Sequence, residues 1–305
     1  MHDLLKAALA ATALCASLST AAAAAPAPAR AAAPAFEPTR FTVLVEGKGP
    51  DVILIPGLST PRDVWDNARA ALAGRYRLHL VQLNGFGGTA AGANGQGEIL
   101  APAVAELERY IEANRLDRPA LVGHSLGGLL GLMLAEKAPG KLGRLMIIDA
   151  LPFAGALAGP TATVEMLKPQ AAAMRDMMAA PATPEQRAAG AARIAAALAR
   201  TPAARERVAG WIAQADPKVA AEMTYEGFTT DARPGLAAVR LPITVLYAWN
   251  EGTLPEAQAK ALFETAWAPA PLVRFEPVAG SFHFIMLDQP DRFAALLGGF
   301  LDERR

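Results

Sequence analysis

Apolar positions fall into two repeating patterns along this chain. Residues 40–47, RFTVLVEG, alternate apolar with polar side chains and end in glycine, which predicts a strand followed by a turn. Residues 51–57, DVILIPG, are a continuous apolar run, as expected of a strand covered on both faces. Further strand-like runs occupy residues 77–85, 118–125, 142–150, 241–249 and 271–280. Amphipathic stretches separate most of them, such as residues 99–116, ILAPAVAELERYIEANRL. Strands alternating with helices predict an α/β fold, with a mostly parallel central sheet and helices on both faces.

One interval breaks this rhythm. Residues 152–240 contain no strand-like run; they are alanine-rich, helical in pattern and punctuated by proline. A structureless loop of that length is implausible inside a compact domain. The interval therefore predicts an inserted α-helical cap, with the core formed by residues 39–151 and 241–305. Met174, Met177 and Met178 share one helical face there. That stripe serves as ordinary packing, and also suits a pliable apolar lid, since methionine adapts to varied shapes. Asp231 reads as a helix-start or hinge residue of the cap.

The N-terminus has a different character. Residues 1–25 carry one lysine, Lys6, then an Ala/Leu stretch and Ala-X-Ala sites, the pattern of a secretory signal peptide. Residues 26–38 are a Pro/Ala-rich linker. The expected location is periplasmic or secreted, with no stable membrane insertion after cleavage. The only cysteine, Cys15, lies in the leader, so the mature protein would have no disulfide and no cysteine-ligated metal.

Charge adds mainly exclusions. The 305-residue chain has 29 Lys+Arg and 29 Asp+Glu, with no run of like charge, so nucleic acid is not an expected partner. No metal cluster stands out. NGFGG at residues 84–88 lacks the spacing of a dinucleotide fingerprint, so no cofactor is implied. The oligomeric state is not legible in these residues.

The chemistry centres on Gly123-His124-Ser125-Leu126-Gly127, a G-x-S-x-G sequence between a strand and a helix. Such a turn is sharp, holds its serine in a strained conformation, and tolerates no bulk two residues to either side. A serine nucleophile needs a base, and histidine serves near neutral pH. Of the four histidines, His2 lies in the leader, His79 lies inside a strand, and His124 adjoins the serine and is expected to point away from its hydroxyl. His283, in VAGSFHFIMLDQP, is the only histidine after Ser125 and is the candidate base.

These motifs, together with LPITVLYAWNEGTLP, PGLSTPRDVW and NGFGGTA, give a chain that resembles the α/β-hydrolase fold over nearly all of its length beyond the leader. The resemblance implies that Ser125 attacks an acyl carbon, that His283 takes its proton, and that an acid orients the imidazole. It implies an oxyanion hole from the backbone N–H of Leu126 and of Leu58, although Pro56 stands where the family often has histidine. The acid usually follows the strand at 241–249, where Glu251 occupies the slot with Pro255 four residues on; Asp149, ending the strand at 142–150, is the alternative. The implied function is a carboxylesterase- or lipase-like serine hydrolase acting on a small-molecule ester of apolar character. An acyltransferase or perhydrolase would use the same triad. A binding protein on the same fold is the reading from outside enzymology.

Overall fold

In the computed structural model, which describes residues 36–303 except residue 73, each of the seven strand-like runs contains a strand. The leader and the linker up to residue 35 lie outside the described residues. β1 (Phe41–Gly47), β2 (Asp51–Ile55), α1 (Asp66–Leu72), β3 (Arg77–Leu83), α2 (Leu100–Ala113), β4 (Ala120–His124), α3 (Leu126–Lys137) and β5 (Arg144–Ile148) follow in order. Four helices intervene: α4 (Val164–Ala179), α5 (Pro184–Leu198), α6 (Pro202–Gln214) and α7 (Pro217–Thr229). Then come β6 (Ile243–Trp249), α8 (Glu256–Trp267), β7 (Val273–Ala279), the one-turn α9 (Ile285–Asp288) and α10 (Pro290–Asp302).

The sheet order is β1-β3-β2-β4-β5-β6-β7, with β1 antiparallel to β3 and every other pairing parallel. The continuous apolar runs occupy its centre because both faces are covered there. Alternate residues feed two cores. Ile53, Ile55, Leu121, Leu145, Ile147 and Val245 pack on one side; Val52, Leu54, Val122, Met146, Ile148 and Leu246 pack on the other. Trp267 anchors the first core and Trp65 the second, each with no exposed surface. Burying side chains of this kind stabilises the fold by about 2–3 kcal/mol apiece.

Three prolines of the insertion between β5 and β6 begin helices, while Pro169 lies inside α4. Pro184, Pro202 and Pro217 stand at first-turn positions of α5, α6 and α7, where their missing N–H costs nothing. Thr183, Thr201 and Asp216 precede them and accept hydrogen bonds from the first-turn N–H groups. Helices α4 and α7 pair, as do α5 and α6. Ala195, Ala199, Ala204 and Val208 join the second core, while Val219, Ala220 and Met223 join the first.

Two carboxylates tie the insertion to the sheet domain. Asp288 accepts from the N–H of Arg200 (2.9 Å), Thr201 (3.3 Å) and Phe282 (2.9 Å). Glu226 of α7 accepts from the N–H of Ile99 (2.7 Å) and Leu100 (2.8 Å) at the start of α2. Burial pushes the Glu226 carboxyl up from its ordinary pKa, and the two N–H bonds oppose that shift. Among the described residues no helix is long and apolar enough to cross a membrane.

Candidate active site

Ser125 sits between β4 and α3 with φ 51° and ψ −119°, outside the regions that L-residues favour. The turn is closed by backbone bonds from the N–H of Gly128 (2.8 Å) and Leu129 (3.1 Å) to the Ser125 carbonyl. Its flanking glycines are required by contact. A Cβ on Gly123 would stand 2.3 Å from the carbonyl oxygen of Gly127, and one on Gly127 would stand 2.2 Å from that of Ile55. Serine before a helix ordinarily turns its hydroxyl back to cap the first turn. Ser125 makes no such bond, so its hydroxyl is left to the cavity above the strand ends.

His283 lies in the segment between β7 and α9 and is partly buried. Its Nδ1 stands 2.7 Å from Oδ2 of Asp149. With Nδ1–H donating to that carboxylate, the neutral ring leaves Nε2 bare as an acceptor. Asp149 follows β5, also at positive φ (51°). Its own N–H donates to the Leu246 carbonyl (2.7 Å), and its Oδ1 accepts from the Ala248 N–H (2.9 Å). Both contacts come from the neighbouring strand β6, so the carboxylate is held on two sides before it meets the histidine.

Glu251 does not take the position expected of it. The turn after β6 is folded by Asn250, whose Oδ1 accepts from the N–H of Gly252 (3.1 Å) and Thr253 (3.0 Å). Backbone bonds between Asn250 and Leu254 close the turn. Glu251 is thereby held at an exposed tip, and the carboxylate at His283 is the alternative one, Asp149. A signal for Asp149 was present in the sequence. It ends the strand next to the one that ends at Ser125, and parallel sheets gather their chemistry at the carboxyl ends of adjacent strands.

The remaining candidates have clear places. Leu58 and Leu126 line the cavity with Ser125. Among the described residues neither backbone N–H donates to a protein acceptor, which leaves both available to a ligand. His79 is buried in β3, bonded to Tyr110 Oη (2.7 Å) and Asp51 Oδ1 (2.9 Å). Burial lowers the His79 pKa and pushes the Tyr110 hydroxyl up to about 12. Asp231 pairs with Arg233 at 2.6 Å, where the insertion returns to the core. The methionine stripe divides: Met178 lines the cavity of Ser125, Met174 lines a smaller one, and Met177 is 71% exposed.

One role was not legible in the sequence. His124 is fully buried, and its Nε2–H donates to the backbone carbonyl of His283 at 3.1 Å. The two imidazole rings lie 4.6 Å apart between centroids. Burial, and secondarily the charge His283 could carry, hold His124 well below the ordinary histidine pKa, so it stays neutral. Among the described residues its Nδ1 has no hydrogen-bond partner, and it packs against Gly57 of the Leu58 loop.

The cavity encloses about 530 Å³. It is walled by Leu151, Leu198, Ile212, Met223 and Phe228 besides the residues above, with no lysine or arginine among the described residues that line it. A serine hydroxyl, a histidine with a bare Nε2 and two open backbone donors can together perform acyl transfer.

Comparison with known proteins places this fold. The model of the Alpha/beta hydrolase family matches residues 52–296. The chain belongs to that family. Among curated relatives, a pimeloyl-[acyl-carrier protein] methyl ester esterase of Aeromonas hydrophila is 38% identical over 106 residues, 35% of this chain and 40% of that protein. The protein of that name from Edwardsiella ictaluri is 26% identical over 260 residues, 83% of this chain and 94% of its own length. Among solved structures, a thermophilic esterase from Thermogutta terrifontis superposes with a TM-score of 0.71 at 20% identity, covering 86% of this chain and 92% of that one. The enol-lactonase from Burkholderia xenovorans gives 0.68 at 18% identity, covering 86% and 96%. The structural likenesses establish that this α/β hydrolase shares their fold.

Proposed function

We propose that this α/β hydrolase is a serine esterase that cleaves an ester-type bond of a small or medium apolar substrate through an acyl-enzyme on Ser125. One observation carries the reading: a serine hydroxyl committed to no cap opens onto the same cavity as a histidine bonded to a carboxylate. In the proposed cycle Ser125 Oγ attacks the acyl carbon while Nε2 of His283 takes its proton. Asp149 stabilises the imidazolium through Nδ1–H, and the N–H groups of Leu58 and Leu126 receive the developing oxyanion. Collapse of the tetrahedral adduct expels the alcohol, which leaves with the proton from Nε2. Water, deprotonated by His283, then attacks the acyl carbon and frees the acid and Ser125.

The relatives' names support the bond type, since they describe cleavage of a methyl ester. The apolar walls support an uncharged substrate, because a buried charge without a partner is costly. The leader-like residues 1–25 support export to the periplasm or beyond.

Hydrolysis of p-nitrophenyl esters tests the reading. The wild-type protein should release nitrophenol steadily, and Ser125→Ala should lose at least about a thousandfold in kcat. A Ser125→Ala variant that turns over at the wild-type rate would overturn the assignment.

A further inference from the structure

A second cavity of about 250 Å³ lies beside the first, between α4 and the 3-10 turn Ala154–Ala158. Ala154, Leu157 and Phe228 wall both cavities. The smaller one is apolar: its polar side chain is Gln170, and among the described residues no charged group lines it. The methionine stripe of α4 follows the same division, since Met174 faces the smaller cavity and Met178 the larger. Two methionines four residues apart thus give each cavity one deformable wall from the same helix. Leu157, at the shared wall, is 69% exposed and so is free to change rotamer at little packing cost.

Resting on the esterase reading, we propose that the two cavities form one binding path for an unbranched, uncharged hydrocarbon chain of the substrate, with Leu157 and Phe228 as the gate between them. The reacting ester sits at Ser125, and the chain passes the gate to end beneath α4. The walls supply no counter-charge for a carboxylate or phosphate at the far end of that chain. Short esters fill only the first cavity; longer ones gain contacts in the second. Each methylene removed from water is worth about fourfold in binding.

The hydrocarbon chain belongs either to the acyl half or to the alcohol half, and two ester series separate these sources. One is p-nitrophenyl acyl esters from acetyl to dodecanoyl; the other is alkyl acetates from ethyl to dodecyl. In one series kcat/KM should climb with length through the octyl members, and in the other it should not. Ala158 lines the second cavity and not the first, so Ala158→Trp is the variant chosen to fill it. It should lower kcat/KM for the dodecyl member of the responding series at least tenfold, leave the shortest ester within twofold, and keep the wild-type Tm. Ala171→Leu, filling the same cavity from α4, should act in the same direction. Direct binding of 2-tetradecanone, which has no leaving group, should weaken at least tenfold in Ala158→Trp.

Length profiles of Ala158→Trp and Ala171→Leu that superimpose on wild type, or unchanged ketone binding, would overturn the path. Absent ester turnover with wild-type ketone binding that Ala158→Trp weakens would instead keep the path and remove the esterase reading.

Discussion

Asp149 receives the Nδ1–H of His283 at 2.7 Å while its second oxygen is held by the Ala248 N–H. The carboxylate is therefore positioned by the sheet and not by the loop that carries the histidine. Ser125 and Asp149 follow neighbouring parallel strands, β4 and β5, paired from Ala120–Arg144 to His124–Ile148. Their relative placement is fixed by backbone register. His283 enters on a separate segment beyond β7, so its position must be secured by other means.

His124 supplies one of those means, by donating to the His283 carbonyl. His124→Phe keeps a ring of similar size in the buried site and removes the donor. The expected result is a fall in kcat of about tenfold to a hundredfold from a misplaced imidazole, with KM within twofold. Steady-state kinetics on one ester would check it, and a loss confined to KM would contradict a positioning role.

Asp288 supplies another. Its carboxylate holds Phe282 next to His283, and also Arg200 and Thr201 of the helical insertion. Asp288→Ala leaves three backbone donors without their acceptor. The expected cost is about 3 kcal/mol of stability, read as a lower Tm in calorimetry. Proteolysis should also cut the α5–α6 region more readily in the variant than in wild type.

Glu136 makes stability depend on pH. Its Oε1 is buried without a partner, and burial, then the nearby Asp231 charge, raises its pKa to about 7. A carboxyl raised above its unfolded value of about 4.3 binds its proton more tightly when folded. The stability it confers is full below that unfolded value and is lost as pH rises through 7. Glu136→Gln should therefore be more stable than wild type at pH 8, by on the order of 2 kcal/mol after screening, and should match it near pH 4. Thermal melts across pH 4–8 would show the two curves diverging.

Much of this arrangement could be read in the residues. The apolar runs located the strands, and the glycines around Ser125 pointed to a crowded turn that the Cβ contacts at Gly123 and Gly127 explain. The acid was harder to read, because Glu251 and Asp149 both follow strands and differ only in what holds them. Asn250 folds its turn through local bonds, but β6 presenting the Ala248 N–H to Asp149 is a tertiary fact without a local pattern. The contact of His124 with His283 spans 159 residues and was illegible for the same reason.

The most direct test of the proposed triad is the rate at which a fluorophosphonate labels the protein, with the adduct located by peptide mass. The account predicts a single adduct at Ser125, labelling slowed by about three to four orders of magnitude in Asp149→Asn, and an unchanged rate in Glu251→Gln. An adduct elsewhere, or a Glu251→Gln variant slowed while Asp149→Asn labels at the wild-type rate, would contradict it.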